Sequence, residues 1–360
     1  MRIAVITVVH DPRDARIFRR QIGALVAANH HVTYAAPFSA HHTVAPSNVT
    51  GVDLPRASGR DRIKALRAAR EFARKAAPNH DALIIHDPEL LIAVAGISGP
   101  AIIWDVHEDT ASAIRMKSWI AVPLKGIAAS LITKAEARAE RSVHLMLAEE
   151  GYLPRFKNVH PVVPNTTPVD DDVSPPGDTR VIYVGSITRE RGIVDIVSTA
   201  RLLKPDGIET HVVGSADAFS RALLEQARAD GVVTWHGFIP NESAMSLLNG
   251  ALCGLSLLHD QPNYRHSRPS KVLEYMAHGI PVVSTPLPAA ADLIESAGAG
   301  IVVPFEDPPS AAAAVRYLCE NSEDRERMGM AGHEWALINA NWTADGERFV
   351  KLIESWAAAN

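Results

Sequence analysis

Residues 266–285, HSRPSKVLEYMAHGIPVVST, join a short helical pattern to a β-branched run, and the fold is best worked out from this stretch. Pro269 suits the first helical position, where its missing N–H costs nothing, and Gly279 suits a left-handed cap after the last turn. The run PVVST that follows is typical of a buried strand. Lys271 adds positive charge at the helix start, where the helix dipole already favours an anion. The stretch therefore predicts a helix whose N-terminus faces a ligand.

Strand-like and helix-like runs alternate along almost the whole chain, which is the pattern of parallel α/β sheets. In the first half the strand-like runs are RIAVITVV, HVTYAAP, ALIIH, AIIWDV and HLMLA, with helices predicted near residues 14–28, 60–76 and 125–140. In the second half they are RVIYVGSI, ETHVVG, VVTW, CGLSLL, PVVST and GIVV, and helices follow from about residue 308 to the end. The sequence therefore predicts two doubly wound domains.

The domain boundary is expected in NVHPVVPNTTPVDDDVSPPGD, residues 158–178, which is rich in Pro, Asp and Thr and lacks periodicity. We predict a first domain at residues 1–165 and a second at residues 166–335. A C-terminal helix at residues 336–360 is predicted to pack back on the first domain. The acidic run from Asp170 to Asp172 is interpreted as solvated charge in the linker rather than as a metal site.

The composition of the 360-residue chain excludes several classes of protein. Its two cysteines offer no disulfide framework or zinc spacing, which favours a cytoplasmic location. The N-terminal run MRIAVITVVHDPR predicts a first strand rather than a signal peptide, and the apolar stretches fall short of the roughly 20 residues of a membrane span. Residues 1–165 hold 21 Lys and Arg against 15 Asp and Glu, whereas the remainder holds 15 against 26. This asymmetry indicates a binding partner, although no nucleic acid is expected.

Polar side chains follow five of the predicted strands, and ligands of parallel sheets bind beyond the carboxyl ends of the strands. In the first domain these candidates are His10, Asp14, His86 and His107, and in the second they are Gly185, Ser186, Arg191, Lys271 and Glu274. Because arginine forks bind phosphate oxygens, Arg191 with Lys271 and a helix N-terminus predicts a diphosphate site. Glu274 either pairs with Lys271 along the helix or accepts hydrogen bonds from two ribose hydroxyls. No metal and no cofactor are expected, since His107 has no second histidine at helical spacing.

These motifs carry a family resemblance. PSKVLEYMAHGIPVVST resembles the donor-site signature of family 4 glycosyltransferases, and YVGSITRERGI resembles their diphosphate-binding strand–turn–helix segment. VVHDPRDARIFRRQIGALVAANHHVTYAAP, IIHDPELL and IIWDVHED resemble segments of their N-terminal acceptor domain. The resemblance spans about residues 1–310 and implies the GT-B fold, in which two Rossmann-like doubly wound α/β domains face a central cleft.

The resemblance also implies roles for individual residues. Glu274 matches the glutamate that holds the ribose, and Arg191 stands where the family usually has a lysine on the diphosphate. The backbone from Ser267 to Ser270 would lie with Lys271 near phosphate and sugar, and His107 matches the histidine that approaches the transferred sugar. The candidates for the acceptor or sugar side are His10, Asp14, His86, His107 and His266. The sequence departs from the family at Ser186, often an arginine, at His266, usually a glutamate, and in the first loop, which lacks a glycine pair.

The activity implied is transfer of a sugar from a nucleoside-diphosphate sugar to a hydroxyl acceptor, which is a glycan, a lipid-linked molecule or a small glycoside. Family 4 enzymes retain the anomeric configuration, so the acceptor attacks on the face from which the diphosphate departs. Two other classes stay open at this stage: a nucleotide-sugar epimerase of the same fold, and a silent subunit that only binds a nucleotide sugar.

A basic amphipathic segment runs from Arg60 to Ala77, RDRIKALRAAREFARKAA, and predicts a peripheral contact with an anionic membrane or a lipid-linked acceptor. Its apolar stripe is Ile63, Leu66, Ala69, Ala73 and Ala76. Because the stripe is mostly alanine, we expect it to pack against the fold and to leave the basic face outward. The alternative is a solvated helix whose charge only aids solubility.

Overall fold

The computed structural model describes residues 1–107, 130, 134–262, 264–265 and 269–359. The chain forms two compact units: one is Met1–Asn165 with Thr343–Asn360, and the other is Thr166–Trp342. The change from the first to the second unit falls within the segment predicted as a linker. The return to the first unit begins at Thr343, whereas the sequence placed it at residue 336.

The first unit contains a six-stranded sheet with the order β3-β2-β1-β4-β5-β6, and all its pairings are parallel. The strands are β1 (Arg2–Ile6), β2 (His31–Ala36), β3 (Thr50–Asp53), β4 (Ala82–Ile85), β5 (Ala101–Val106) and β6 (His144–Leu147). Every residue of β4 and β5 is buried, which explains the continuous apolar run of β4 and the apolar run of β5 that only Asp105 interrupts. The edge strand β3 was not predicted, because its sequence TGVD is mostly exposed and carries no apolar alternation.

The helices of the first unit differ in detail from the prediction. They include a π-helix (Ala15–Ile22) that continues into α1 (Gly23–Ala27), then α2 (Arg62–Ala76) and α3 (Leu90–Val94). The first pair occupies the predicted helix at residues 14–28. Of the helix predicted at residues 125–140, only 130 and 134–140 lie within the described residues, and 134–139 are helical.

The second unit has the same architecture, with a parallel sheet in the order β12-β11-β10-β7-β8-β9. Its strands are β7 (Arg180–Val184), β8 (Glu209–Val213), β9 (Thr234–Trp235), β10 (Cys253–Ser256), β11 (Val282–Ser284) and β12 (Gly300–Val302). Its helices are α4 (Ile193–Leu203), α5 (Ala218–Ala229), α6 (Asn241–Ser246), α7 (Ser270–Ala277), α8 (Pro288–Ala297), α9 (Pro308–Glu320) and α10 (Ser322–Asn339). The alternation of strands and helices confirms the predicted α/β fold class.

The last helix, α11 (Trp342–Ala358), belongs almost entirely to the first unit. The ring of Trp356 stacks on His144 of β6, with 4.8 Å between ring centroids, and Phe349 and Ile353 are fully buried. Within the described residues, no helix is long and apolar enough to cross a membrane.

The helix α7 begins one residue later than the sequence predicted. Pro269 has ψ 121° and is the N-cap residue, so the first helical residue is Ser270. An extended ψ is usual at an N-cap and is incompatible with a first helical position. Gly279 does adopt the expected left-handed conformation, with φ 65°.

Helix α2 packs against the fold through alanines, but its buried stripe was predicted wrongly at one end. Ala65, Ala69, Ala73 and Ala76 are buried, whereas Ile63 is 64% exposed. Ile63 precedes Ala65 by two residues, a rotation of about 200° around an α-helix, so it lies on the opposite face. The small alanine side chains allow the helix to pack closely against the core of the first unit. Ile63 lies instead among the exposed basic side chains.

Candidate functional site

The carboxyl end of β7 leads into a tight loop that brings the predicted diphosphate residues together. Gly192 ends this loop with φ 82°, and a Cβ at this position would lie 1.9 Å from the carbonyl oxygen of Leu257. Only glycine fits this position, because it tolerates both the left-handed backbone and the close approach. The loop, which leads directly into α4, therefore packs closely against the residues that follow β10.

A second contact holds the same loop. His259 Nε2 lies 2.6 Å from Asp195 Oδ2 in the first turn of α4, and the His259 backbone N–H donates to the carbonyl oxygen of Glu190 at 3.0 Å. The segment after β10 is thus tied to the segment after β7. Such cross-links keep loop backbone in a defined position before a ligand arrives.

Lys271 in the first turn of α7 reaches the loop after β7 and is only 5% exposed. Its Nζ donates to the Tyr183 hydroxyl at 3.3 Å and lies 4.5 Å from the centre of the Tyr183 ring. The Tyr183 hydroxyl in turn donates to the carbonyl oxygen of Ser186 at 2.7 Å. A buried amine is therefore aimed at the loop, and its hydrogen-bond partner is a phenol rather than a carboxylate.

The surroundings of Lys271 disfavour its positive charge. Burial, together with the nearby Arg191 guanidinium, lowers the pKa of Lys271 to about 7, and Glu274 opposes this shift. Burial also raises the pKa of Tyr183, which Arg191 partly counteracts. The Arg191 guanidinium and a buried amine at one loop, with little negative charge beside them, favour an anionic ligand.

The remaining predicted residues of this site are distributed as follows. Glu274 is buried in α7 at 8% exposure, Ser270 is the first residue of that helix, and Gly185 lies where a Cβ would be 3.4 Å from Lys271 Cε. The side chain of Ser186 is exposed, and its carbonyl oxygen is the part that the site uses. Ser267 and His266 lie outside the described residues.

In the first unit, the neighbouring strands β1, β4 and β5 bring a histidine–aspartate cluster together at their carboxyl ends. His10 Nε2 lies 3.3 Å from Asp87 Oδ1 and 3.1 Å from His107 Nε2. His107 Nδ1 lies 3.0 Å from the carbonyl oxygen of Asp105. Because a carbonyl oxygen only accepts, Nδ1 carries a proton, and the Nε2 of a neutral His107 can then accept a hydrogen bond.

Asp105 is the fully buried anchor of this cluster. Its oxygens accept hydrogen bonds from Arg16 Nε at 2.8 Å, from Arg16 Nη2 at 2.7 Å and from Gln21 Nε2 at 3.0 Å. Burial alone would raise the pKa of Asp105, but the charge and hydrogen bonds of Arg16 hold it well below its usual value. Asp105 is therefore a carboxylate that fixes the rings around it.

His86 is buried against the same carboxylate. Its Nδ1 lies 3.1 Å from Asp105 Oδ2 without hydrogen-bond geometry, and burial lowers its pKa although Asp105 opposes the shift. His86, Asp105 and His107 offer three potential ligand atoms within 4.8 Å of one another, which makes them the candidate metal group among the described residues. The Arg16 guanidinium, bonded to both oxygens of Asp105, places positive charge where a metal ion would need negative charge.

Asp14 has a structural task in this unit. Its Oδ1 accepts hydrogen bonds from the backbone N–H groups of Arg16 at 2.9 Å and Ile17 at 3.0 Å, so it caps the π-helix. Sequence reasoning did not select Tyr183, Asp105 or Arg16 as site residues. The signal for Asp105 was present, because a charged residue in an otherwise apolar strand, AIIWDV, has to find a partner.

The two parallel doubly wound units, with their polar clusters at strand carboxyl ends, define the class of GT-B proteins. Sucrose-phosphate synthase from Thermosynechococcus elongatus superposes with a TM-score of 0.78 at 19% identity, over 100% of both chains. The lipopolysaccharide glycosyltransferase WaaG superposes with a TM-score of 0.70 at 14% identity, over 98% of this chain and 99% of that one. Anabaena HepE in complex with UDP-glucose superposes with a TM-score of 0.71 at 12% identity, over 99% of this chain and 100% of that one.

Sequence comparisons show which proteins the second unit resembles. Residues 169–335 match the model of glycosyl transferases group 1. The putative colanic acid biosynthesis glycosyltransferase WcaL of Salmonella typhimurium is 29% identical over 182 residues, which is 49% of this chain and 45% of that protein. The alpha-D-kanosaminyltransferase of Streptomyces kanamyceticus is 32% identical over 152 residues, 41% of this chain and 38% of that protein. The chain thus spans less than half the length of these curated relatives.

Residues 169–335, most of the second unit, are thus similar to glycosyl transferases group 1, and the whole chain has the fold of the GT-B glycosyltransferases. The family resemblance predicted from the donor-site stretch and the loop after β7 is confirmed.

Proposed function

We propose that this protein transfers a sugar from a nucleoside-diphosphate sugar to a hydroxyl acceptor, with retention of the anomeric configuration. The observation that carries the proposal is the buried Lys271 amine, held with Arg191 at the loop after β7 in the family-matched unit. HepE, which shares the fold, forms a complex with UDP-glucose, and this supports a donor of the same chemical class.

Charge builds on the leaving diphosphate as the glycosidic bond breaks, and the acceptor attacks on the same face. Arg191 and Lys271 are placed by packing before the reaction, so they stabilise this charge without reorganisation. In this proposal the two side chains, rather than a metal ion, balance the charge of the diphosphate. We therefore expect full turnover after exhaustive chelation, and a strict requirement for Mg²⁺ would contradict this part of the proposal.

The first unit is proposed to supply the sugar and acceptor side through His107. Its ring is oriented by the Asp105 carbonyl oxygen and by His10, as expected of a group that makes a directed hydrogen bond. The acceptor is proposed to be a hydroxyl-bearing glycan, lipid-linked molecule or glycoside. The names of the relatives, which include colanic acid biosynthesis and kanosaminyl transfer, support saccharide acceptors as a class.

A peripheral contact with the inner face of the membrane is also proposed. In α2 the side chains of Lys64, Arg67 and Arg74 are exposed, and so is Ile63. Basic residues near an anionic surface contribute about 1 kcal/mol each. A lipid-linked acceptor would then lie in the same membrane that the basic face of α2 contacts.

Incubation with a panel of nucleotide sugars tests the proposed activity. Transfer predicts slow release of nucleoside diphosphate by hydrolysis and faster release when a hydroxyl acceptor is present. Formation of an isomer of the donor would instead indicate an epimerase, and binding without any chemical change would indicate a silent subunit. Lys271→Ala is the matched control, since it removes one proposed phosphate contact.

A further inference from the structure

Lys271 is a buried amine with an unusual set of neighbours. It is 5% exposed, and its hydrogen-bond partner is the Tyr183 hydroxyl at 3.3 Å. The charged and titratable groups that act on it in the described part of the chain are Arg191 from the loop after β7, Glu274 from its own helix and Tyr183 from β7. No ion pair joins Lys271 to any described carboxylate. Burial and the Arg191 guanidinium therefore outweigh the opposing effect of Glu274 and disfavour an ammonium group at this position.

The hydrogen bonds of Tyr183 do not depend on the charge of the amine. The hydroxyl proton is donated to the carbonyl oxygen of Ser186 at 2.7 Å, which leaves the oxygen lone pairs for Lys271. Both a neutral amine and an ammonium carry N–H groups that can donate to this oxygen. The ring face adds an attraction that only the ammonium feels.

We propose that the Lys271 amine takes up a proton from solvent when the diphosphate of a donor binds, and that the Tyr183 hydroxyl positions this amine in both protonation states. The inference rests on the proposed function, because it names the event that accompanies donor binding at that site. The diphosphate supplies the negative charge that the unliganded site lacks, and this favours the ammonium over the amine.

The proposal has a quantitative consequence for binding. The pKa of Lys271 is about 7 before the donor binds, and a diphosphate raises it. At pH 8 about 0.9 proton is then taken up per donor bound, and the donor dissociation constant rises by up to about tenfold per pH unit above 7. Nucleotide sugars are suitable probes because their phosphates, being esterified at both ends, do not titrate near neutral pH.

The test is titration calorimetry at pH 8 with UDP-glucose, ADP-glucose, GDP-mannose and dTDP-glucose. Each is measured in HEPES and in Tris, whose ionisation enthalpies differ, so that the dependence of heat on buffer counts the protons. Uptake of about one proton with whichever donor binds supports the inference. Saturable binding without a buffer-dependent heat overturns it and leaves the proposed function intact. If none of the four binds, the donor site itself is wrong and the inference falls with it.

Variants separate proton uptake from simple loss of a contact. Lys271→Arg keeps a permanent positive charge, so we expect binding without proton uptake and without the fall in affinity above pH 7. Tyr183→Phe keeps the ring and removes the positioning hydroxyl, so we expect a shifted pH midpoint of donor binding as well as weaker binding. A uniform loss of affinity at every pH would mean that Tyr183 is only structural.

Tyr275→Phe is the matched control for Tyr183→Phe. Tyr275 is also fully buried, and within the described residues its hydroxyl bonds to backbone groups, the N–H of Val184 at 3.0 Å and the carbonyl oxygen of Leu255 at 3.2 Å. We expect Tyr275→Phe to lower the melting temperature and to leave the pH midpoint of donor binding where it is in the wild type. An equal midpoint shift in both variants would contradict the positioning role of Tyr183.

Discussion

Arg191 and Lys271 come from different elements of the second unit and act on the same phenol, Tyr183. A charge-assisted hydrogen bond contributes about 1.5–3 kcal/mol, so removing either cation should lower turnover between about tenfold and 150-fold. We expect this of Arg191→Ala and of Lys271→Ala in a donor-hydrolysis assay, with Arg191→Lys tolerated in part. Arg201→Ala, at an exposed position of α4, is the control that should keep the wild-type rate. A wild-type rate in either site variant would show that the diphosphate lies elsewhere.

Glu274 is the second residue whose effect can be predicted. It is buried in a helix that also carries Lys271, and the proposed role is to accept hydrogen bonds from the ribose. Glu274→Gln keeps the shape and removes the charge, so donor binding should weaken by about 1.5–3 kcal/mol at most for each hydroxyl bond. Calorimetry measures the affinity and thermal unfolding checks the fold. Unchanged affinity would remove Glu274 from the site.

His107 belongs to the first unit, whereas the family match covers the second. We therefore expect His107→Ala to abolish sugar transfer while the affinity for nucleoside diphosphate stays close to that of the wild type. Parallel assays of transfer and of diphosphate binding measure the two effects. His31→Ala, at an exposed position that begins β2, is the control. Equal loss of both properties would make His107 a structural residue.

At the scale of elements, α2 combines a buried alanine stripe with an exposed basic face. Arg70 is not suitable for testing this face, because its Nη1 donates to the carbonyl oxygens of Ile92 and Ala93. We expect Lys64→Glu, Arg67→Glu and Arg74→Glu together to abolish co-sedimentation with anionic liposomes at low salt. Wild-type binding should itself fade at high salt, since the screening length falls from about 10 Å at 0.1 M to about 3 Å at 1 M.

The control for this helix reverses three exposed charges of the second unit, Arg201, Arg228 and Arg327, and should leave binding as it is. Binding that ignores lipid charge, or that survives the reversal in α2, would leave the helix as a solvated surface whose charge aids solubility.

At the scale of the whole molecule, each unit has its own sheet and its own buried core. Asp105→Asn leaves the buried Arg16 without its carboxylate, and breaking such a pair costs about 3–5 kcal/mol. We expect faster hydrogen exchange in β1, β4 and β5 of this variant, with exchange in β7 and β10 unchanged. Asp170→Asn, at an exposed position near the start of the second unit, should leave exchange in both sheets unchanged. Equal acceleration in both sheets would show that the two units unfold together.

The Asp105 pair also predicts a dependence of stability on pH. The pKa of Asp105 is lower in the folded state than its usual value of 3.8, so the unfolded chain binds more protons between those two values. The stabilisation is therefore complete above pH 4 and is lost as the pH falls through the folded-state pKa. Thermal unfolding from pH 3 to 7 should show a steeper loss of stability at the acid end of this range in the wild type than in Asp105→Asn.

The sequence by itself determined most of the helices and strands of this protein, and the carboxyl ends of strands at which its polar residues lie. Apolar runs, glycine caps and strand–turn–helix motifs such as YVGSITRERGI act within a few residues, so the α/β class and the loops after β7 and before α7 could be predicted from them. The edge strand β3 could not be predicted in this way, because its residues are mostly exposed and carry no apolar pattern. Its place is fixed by the pairing with β2.

Only the tertiary structure decided which distant side chains meet. Arg16 and Asp105 are 89 residues apart in the chain, and Tyr183 and Lys271 are 88 apart. These contacts depend on the order of strands in each sheet and on the depth to which a side chain is buried, and neither is a local property of the sequence. The same burial turns an ordinary lysine into an amine with a pKa of about 7, because the free energy of a charge depends on the whole fold that excludes water from it.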